Sequence, residues 1–312
     1  MFLMGSSLSE SIKKKASDLG FQLCGIAKPH RLTDRESVLK SWCEAGMNDK
    51  MAYLARNTEI RFDPQAFWSP VKSVIVTGLS YNSDIRQNQP GVPVLSRYTY
   101  GQDYHKVIQD KLLSLLDYIK STDSQAEGKA LVDSGPFSEK PWAQEAGLGW
   151  QGKHSIVINK EIGSFFFIGI LLLNRELDYD SPVSEDYCGE CRLCIEACPT
   201  CAINENRTID ARKCIANLTI ENRGPIPDQF VPKLGGRVYG CDRCQEVCPW
   251  NKKAGKSLTP EFEIIPEIAG LTIAEWLDLS EDRFNSLFKD RAVGRVKYHK
   301  FKENIKAAVK SL

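Results

Sequence analysis

The sequence lacks several features that would assign it to a membrane or exported class. Its longest apolar stretch, Phe165 to Leu173, is far shorter than the roughly 20 residues that a membrane-spanning helix needs. Between Met1 and Leu23 no basic segment precedes a long apolar run, and the apolar spacing from Leu8 to Leu19 predicts an amphipathic helix instead. We therefore expect a soluble, cytoplasmic protein that does not enter membranes.

The chain also lacks an excess of charge and the common nucleotide-binding loops. Lys and Arg number 41 against 40 Asp and Glu, which gives a net charge of +1 over 312 residues. This balance excludes a highly charged disordered chain, and any surface that attracts nucleic acid must be local. No Gly-x-Gly-x-x-Gly follows a predicted strand and no P-loop is present, so a redox function needs another kind of cofactor.

Cysteine is the residue type whose number and distribution are unusual. The chain has eleven cysteines, and nine of them lie between Cys188 and Cys248. Disulfides are rare in the cytoplasm, and an odd total that is clustered in one part of the chain indicates metal binding.

The spacing of these cysteines predicts two [4Fe–4S] clusters. Cys188-x2-Cys191-x2-Cys194-x3-Cys198-Pro199 has the ligand spacing of bacterial ferredoxins, and Cys241-x2-Cys244-x3-Cys248-Pro249 follows it. In two-cluster ferredoxins the fourth ligand of each motif binds the other cluster. The same crossing here gives cluster one the ligands Cys188, Cys191, Cys194 and Cys248, and cluster two the ligands Cys198, Cys214, Cys241 and Cys244.

Two structural zinc sites are the alternative, because Cys-x2-Cys pairs also suit tetrahedral zinc. Zinc sites do not need the x3-Cys-Pro step, which occurs here twice. The remaining Cys24, Cys43 and Cys201 are expected to be structural thiols.

Residues before the cysteine-rich region predict an α/β fold. The β-branched run Ser73–Leu79 is typical of a strand, the apolar spacing predicts a helix over 103–121, and Ala130–Val132 predicts a second, short strand. Ser155–Ile158 and Phe165–Leu173 are expected to pair as a hairpin. Composition changes near 178–184 and helical patterns return after Pro266, so we expect domains over 1–180, 181–260 and 261–312.

Several segments, in chain order, resemble the epoxyqueuosine reductase family. They are Arg97-Tyr98, Gly101-x-Asp103-Tyr104-His105, Asp133-Ser134-Gly135-Pro136, Gly147-Leu148-Gly149-Trp150-Gln151-Gly152-Lys153, Leu218–Pro227, and the double cysteine motif that ends in Cys248-Pro249-Trp250-Asn251. The resemblance covers most of the chain.

The resemblance implies an enzyme that reduces epoxyqueuosine to queuosine at the wobble position of tRNA. It implies cob(I)alamin, supplied with electrons by two [4Fe–4S] clusters, in an α/β (α+β) cobalamin-binding domain that resembles nitroreductases. A bacterial-ferredoxin-like two-cluster domain and a helical C-terminal segment would follow. The partners would be tRNA with epoxyqueuosine in its anticodon loop and an external electron donor, and we expect a monomer.

Asp133 aligns with the catalytic carboxylic acid of the family. On local sequence alone it is an Asx-turn or a helix cap. Opening an epoxide leaves an alkoxide, and removal of its oxygen as water needs protons, so the reaction requires an acid. Burial beside the corrin ring is expected to keep the Asp133 carboxyl neutral.

The family alignment also provides candidate cofactor-binding residues, which are Arg56, Ser96, Asp133, Lys153, His154 and Thr219. The family usually has Asn at the position of His154. Asp103-Tyr104-His105 partly matches the Asp-x-His-x-x-Gly motif of enzymes that bind cobalt through histidine, but Ile108 occupies the glycine position. We therefore expect base-off cobalamin without a protein histidine ligand.

The C-terminal stretch from Lys289 to Leu312 carries eight basic and two acidic residues. Such a stretch is either a solvated helix face or a surface that binds tRNA phosphates.

Two other functions share parts of this pattern. A cobalamin-dependent reductive dehalogenase has the same cofactor set but usually carries a twin-arginine export signal, which is not found here. A non-catalytic iron–sulfur electron-transfer protein would have no role for Asp133.

Overall fold

A four-stranded antiparallel sheet organises the first half of the chain in the computed structural model, which describes residues 7–87, 89–257 and 259–312. The strands are β1 (Leu23–Ala27), β2 (Ser73–Ser80), β3 (Val94–Leu95), β4 (Gly128–Leu131), β5 (Trp150–Gln151), β6 (Val157–Ile158), β7 (Phe166–Leu173) and β8 (Arg237–Tyr239). The strand order in the main sheet is β1-β2-β7-β4.

Short helices make up most of the remaining regular structure. The α-helices are α1 (Leu8–Asp18), α2 (Thr33–Glu44), α3 (Thr58–Phe62), α4 (Pro64–Phe67), α5 (Tyr104–Thr122), α6 (Glu139–Glu145), α7 (Leu193–Glu196), α8 (Ile215–Ile220), α9 (Arg243–Glu246), α10 (Pro249–Lys253), α11 (Pro266–Ala269), α12 (Ile273–Leu277), α13 (Glu281–Phe288) and α14 (Tyr298–Val309). Short 3-10 helices span Ala52–Ala55, Arg97–Thr99, Asp228–Lys233, Pro260–Phe262 and Ala292–Arg295. Among the described residues, no helix is long and apolar enough to cross a bilayer.

The main sheet is buried on both faces. Side chains alternate between the faces of a strand, so Ile75 and Leu171 enter one hydrophobic core with α1 and α5, while Val74 and Leu172 enter another with Trp142 of α6. This arrangement explains why β2 and β7 have nearly continuous apolar sequences. The mixed α/β prediction for this region is confirmed.

The predicted strand at 73–79 and the predicted helix at 103–121 are both confirmed, as β2 and α5. The expected hairpin is wrong. The two-residue strand β6 pairs with β5, whereas β7 lies between β2 and β4 and pairs with both. A long apolar strand with two buried faces is most stable in the interior of a sheet, where both of its edges form hydrogen bonds.

The cysteine-rich region and the C-terminal helices share a core. Strand β8 pairs in parallel with β3, so that Val94 is opposite Arg237. Tyr239 of β8 packs in one hydrophobic cluster with Trp276, Phe288 and Phe301. The segment after residue 260 is therefore packed against the cysteine-rich region.

Candidate active site

Asp133 lies just after β4, at the edge of the main sheet. Its φ of +50° is in the left-handed region, which Asp tolerates better than most residues. The hydroxyl of Tyr104 donates a hydrogen bond to Oδ2 at 2.7 Å, and Nε2 of His105 is 3.3 Å from the same oxygen. The Asp133 side chain is 53% exposed, so its carboxylate is accessible to a ligand.

The first turn of α5 supplies both partners of Asp133. Asp103 caps this helix by accepting from the main-chain N–H of His105 at 3.0 Å, and its Oδ1 is 2.7 Å from His105 Nδ1. His105 therefore lies between two carboxylates. Burial lowers the pKa of His105, but the hydrogen bonds with Asp103 and Asp133 outweigh this effect and raise the pKa to about 9. The imidazole is thus protonated at neutral pH, and both of its nitrogens are engaged.

Without a corrin ring beside it, the geometry around Asp133 favours the ionised carboxylate. The hydrogen bond from His105 outweighs burial and, together with the Tyr104 hydroxyl, holds the pKa of Asp133 below its usual range. Burial and the charge of Asp133 raise the pKa of Tyr104, so its hydroxyl stays protonated. Protons at this site are therefore held by His105 and Tyr104, and Asp133 is ionised.

Glu139 is a site residue that sequence reasoning missed. This first residue of α6 accepts a hydrogen bond from the main-chain N–H of Asp133, with Oε1 at 2.5 Å. Burial and the charge of Asp133 raise the pKa of Glu139 to about 7. An acidic residue at a helix start just after the Asp133 turn was the available signal.

The partly buried cation at His105 predicts a pH-dependent stability. Because its pKa rises from 6.5 to about 9 on folding, its stabilisation is complete below about pH 6.5 and is lost as the pH rises through 9. We expect His105→Gln to lower the free energy of unfolding by about 1–3 kcal/mol at about pH 6, and the deficit to shrink by about pH 9.5.

Denaturant unfolding under anaerobic conditions at both pH values measures this difference. His299→Gln, at an exposed position of α14, is the control. An equal deficit for His105→Gln at both pH values would contradict the assignment of the charge.

The four thiols assigned to cluster one lie together. Burial raises the pKa of the Cys194 thiol to about 11, and the charges of Cys188, Cys248 and Cys191 contribute to the rise. Those three are the other members of the set that the crossed ligand assignment predicts. Cys191 is exposed, so this set reaches the protein surface.

The thiols assigned to cluster two form a second, more buried group. Burial raises the pKa of Cys244, with contributions from the charges of Cys241 and Cys214, and the charge of Cys198 likewise adds to the raised pKa of Cys214. Helix α7, which carries Cys194, packs against α9, which carries Cys244, so the two groups adjoin.

The chemistry of these donors fits iron–sulfur clusters. Within the described residues, no three His, Cys, Asp or Glu side chains are grouped as they would be around a single metal ion. A [4Fe–4S] cluster is larger than one ion, so its four thiolates lie further apart. Two adjoining sets of four thiols supply the all-cysteine ligation that such clusters use.

The segment Gly147–Lys153 connects the α/β region to cluster one. The indole N–H of Trp150 donates to Cys188 Sγ at 3.4 Å, and the amine of Lys153 donates to the carbonyl of Gly189 at 2.7 Å. The guanidinium of Arg207 donates to the carbonyl of Gln151. In this structure Lys153 thus contacts the loop between Cys188 and Cys191.

Comparisons with known proteins agree with both parts of the site. A family model described as epoxyqueuosine reductase QueG matches residues 61–134, and one described as a 4Fe-4S double cluster binding domain matches residues 187–251. The epoxyqueuosine reductase of Cyclobacterium marinum is 41% identical over 300 residues, which cover 95% of each chain. The chain belongs to the epoxyqueuosine reductase family.

Other members of the family also match this chain over most of its length. The epoxyqueuosine reductase of Escherichia coli is 36% identical over 97% of this chain and 81% of its own. A crystal structure of an epoxyqueuosine reductase with an epoxyqueuosine-modified tRNA-Tyr stem loop has a TM-score of 0.89 and 30% identity, and covers 97% of this chain and 81% of that one.

The structure of the Bacillus subtilis epoxyqueuosine reductase matches with a TM-score of 0.87 and 30% identity over 97% of this chain and 81% of that one. It is described with its catalytic Asp loop swung out of the active site. Membership of this family favours iron–sulfur clusters over zinc, and epoxyqueuosine reduction over dehalogenation or bare electron transfer.

His154 is buried beside the segment Gly147–Lys153. Its ring is 3% exposed, and burial lowers the pKa to about 4, so the ring is neutral. Nδ1 accepts from the main-chain N–H of Ile156 at 3.3 Å, which leaves the proton on Nε2. Within the described residues Nε2 is buried without a partner, and an amide carbonyl at the edge of a corrin ring would supply one.

The other family-aligned candidates lie in different environments. Ser96 is buried and donates its hydroxyl to Asp242, while Thr219 is fully buried and accepts from the main-chain N–H of Gly240 at 3.0 Å. Both therefore fix the backbone that leads into Cys241. Arg56 is exposed.

The basic C-terminal stretch is only partly available to an RNA. Lys300 is buried and donates to the carbonyl of Gly224 at 2.8 Å, and Arg291 donates to the carbonyl of Tyr100 at 2.9 Å. Lys302 donates to the carbonyl of Leu279 at 2.8 Å. The exposed basic residues of the stretch are Lys289, Arg295, Lys297, Lys306 and Lys310.

Proposed function

We propose that this chain reduces epoxyqueuosine to queuosine at the wobble position of tRNA. The observation that carries the proposal is the Asp133 carboxylate, accessible and hydrogen-bonded by Tyr104 and His105, in a chain with two sets of four cysteines. The reaction consumes two electrons and two protons, breaks the two C–O bonds of the epoxide, forms a C=C bond and releases water.

The protein's own part in this reaction is to hold and deliver protons. Asp133 lies between the open side of the site and the protonated His105, so it can relay a proton from the imidazolium to the epoxide oxygen. Asp103 keeps His105 charged and oriented, and Glu139 holds the main chain of Asp133. Tyr104 fixes the carboxylate by its 2.7 Å hydrogen bond.

Base-off cobalamin, when bound, supplies the low-valent cobalt centre from which the substrate receives its electrons. The residues proposed to surround the cobalamin are Arg56, Ser96, Asp133, Lys153, His154 and Thr219. Both nitrogens of His105 are engaged by carboxylates, so His105 would not be free to bind the cobalt. An external donor supplies electrons one at a time through the two clusters.

The tRNA is proposed to approach beside Asp133. A cavity of 440 Å³ is lined by Lys50, Tyr53, Glu221, Asn222, Arg223, Gly224 and Arg295. The guanidinium of Arg61 donates to the carbonyl of Tyr53 at 2.9 Å, and the main-chain N–H of Ser138 donates to the carbonyl of Arg61 at 3.1 Å, so the chain that lines this cavity is tied to the start of α6. An exposed aromatic ring among cationic side chains is suited to an unstacked nucleotide and its phosphates.

The domain assignments remain part of this proposal. They are a nitroreductase-like cobalamin domain over 1–180, a ferredoxin-like two-cluster domain over 181–260 and a helical segment over 261–312 with a possible role in tRNA contact. A monomeric state, and a cytoplasmic location where tRNA is modified, belong to the same proposal.

The direct test uses anaerobic protein reconstituted with iron and sulfide, with and without cobalamin. The protein is incubated with a strong reductant and with tRNA that carries epoxyqueuosine. We expect each modified nucleoside to lose one oxygen only when cobalamin is present. Mass spectrometry of the digested tRNA measures this loss. Conversion that is equal without cobalamin, or no conversion by protein with both clusters and cobalamin, would exclude the proposal.

A further inference from the structure

The indole of Trp150 contacts one of the cysteines assigned to cluster one. Its N–H donates to Cys188 Sγ at 3.4 Å, and the side chain is 2% exposed. An N–H group that donates to a ligating sulfur is one of the features by which a protein sets the reduction potential of an iron–sulfur cluster.

Several contacts fix this donor in position. Trp150 pairs with Ile158 across the β5–β6 ladder, and its ring packs edge-on against Tyr187 and Trp250, both with centroids at 5.0 Å. Lys153, further along the same segment, binds the carbonyl of Gly189 within the cluster-one loop. The indole therefore cannot turn away from the sulfur without disrupting a packed aromatic group.

A hydrogen bond to sulfur favours the reduced cluster over the oxidised one. A [4Fe–4S] cluster with four thiolates gains one negative charge when its core passes from 2+ to 1+, and a donor stabilises the more negative state. For cluster two, the main-chain N–H of Ala202 donates to Cys198 Sγ at 3.3 Å, and the Thr200 hydroxyl lies 3.6 Å from the same sulfur, so neither contact involves Trp150.

We infer that Trp150 raises the reduction potential of cluster one through its indole hydrogen bond to Cys188, and so helps this cluster accept electrons. In the step concerned, a reduced external one-electron carrier loses one electron and the cluster core gains it. The inference rests on the proposed clusters. Exposed Cys191 on the same cluster agrees with electrons entering there.

The test is a redox titration of the anaerobic, cluster-loaded protein followed by EPR. Trp150→Phe keeps the ring and removes the N–H. At a fixed potential we expect the ratio of reduced to oxidised cluster to fall about fivefold for one of the two redox waves, which is the factor for a typical single hydrogen bond. The potential of the other wave should not change. Trp250→Phe is the matched control from the same aromatic group, and neither wave should move.

A second measurement uses wild-type protein and does not depend on how a variant folds. Protein labelled with indole-15N tryptophan should show a nitrogen coupling to a reduced cluster by pulsed EPR, and the coupling should persist in Trp250→Phe. Unshifted waves in Trp150→Phe, or no coupling in the labelled protein, would overturn the inference while turnover stays intact. A protein that loads no clusters would overturn the proposed function as well.

Discussion

Asp133→Asn is expected to lower the rate of epoxyqueuosine reduction by about 10²–10⁴-fold, the range typical of a lost general acid–base group. The amide keeps the size of the side chain but cannot take a proton from His105 and pass it to the substrate oxygen. Single-turnover conversion with prereduced cobalamin and saturating tRNA measures this effect apart from electron supply.

Two variants on α5 separate proton delivery from folding. Tyr104→Phe removes the 2.7 Å hydrogen bond to Asp133 but keeps the ring, so we expect a smaller loss of about tenfold. Asp110→Asn, at an exposed position of the same helix, should retain wild-type turnover. Asp133→Asn turning over within tenfold of wild type would remove Asp133 from the proton path.

Asp133 could be singled out from the sequence as a candidate catalytic carboxylate, but the hydrogen bonds that it receives from Tyr104 and His105 could not. The turn at Asp133 is visible as Asp-Ser-Gly-Pro, and the family alignment indicates its role. Its low pKa depends on the imidazole of His105, which is brought to it by the packing of α5 against the sheet. Burial beside a corrin favours a neutral acid, whereas the contact that favours the ionised form is tertiary.

The sequence of the Gly147–Lys153 segment likewise did not reveal which groups its side chains contact. The resemblance makes Lys153 a candidate cofactor-binding residue, yet in this structure the side chains of Trp150 and Lys153 bind the cluster-one loop. Among the described residues 147–154, the one buried side-chain polar atom without a partner is Nε2 of His154, just after the segment. Spacing predicts which residues share a loop, whereas the direction of each side chain depends on what packs against that loop.

The candidate cysteine ligands could be picked out from the sequence more directly than the rest of the site, because their spacing within short loops is typical of [4Fe–4S] ligation. Cys214 is the exception, since it is far in sequence from Cys241 and Cys244 and was assigned by elimination. The structure brings its thiol to theirs at the start of α8. This position is therefore the most informative one at which to test the assignment.

Cys214→Ser is expected to remove cluster two and leave cluster one. Iron per chain should fall from about eight to about four atoms, because each [4Fe–4S] cluster contributes four. Without cluster two, electrons from an external donor should no longer reach the substrate, and turnover should fall to background. Iron and sulfide analysis, together with EPR of the reduced protein, measures both losses.

Cys201→Ser is the matched control, since Cys201 is an exposed thiol of the same region and is not assigned as a ligand. We expect it to keep about eight iron atoms and wild-type turnover. The pair of variants tests the crossed arrangement, because it requires Cys214 and excludes Cys201. If Cys201→Ser lost half of the iron while Cys214→Ser kept all of it, the two cysteines would exchange roles and cluster two would be built from Cys198, Cys201, Cys241 and Cys244.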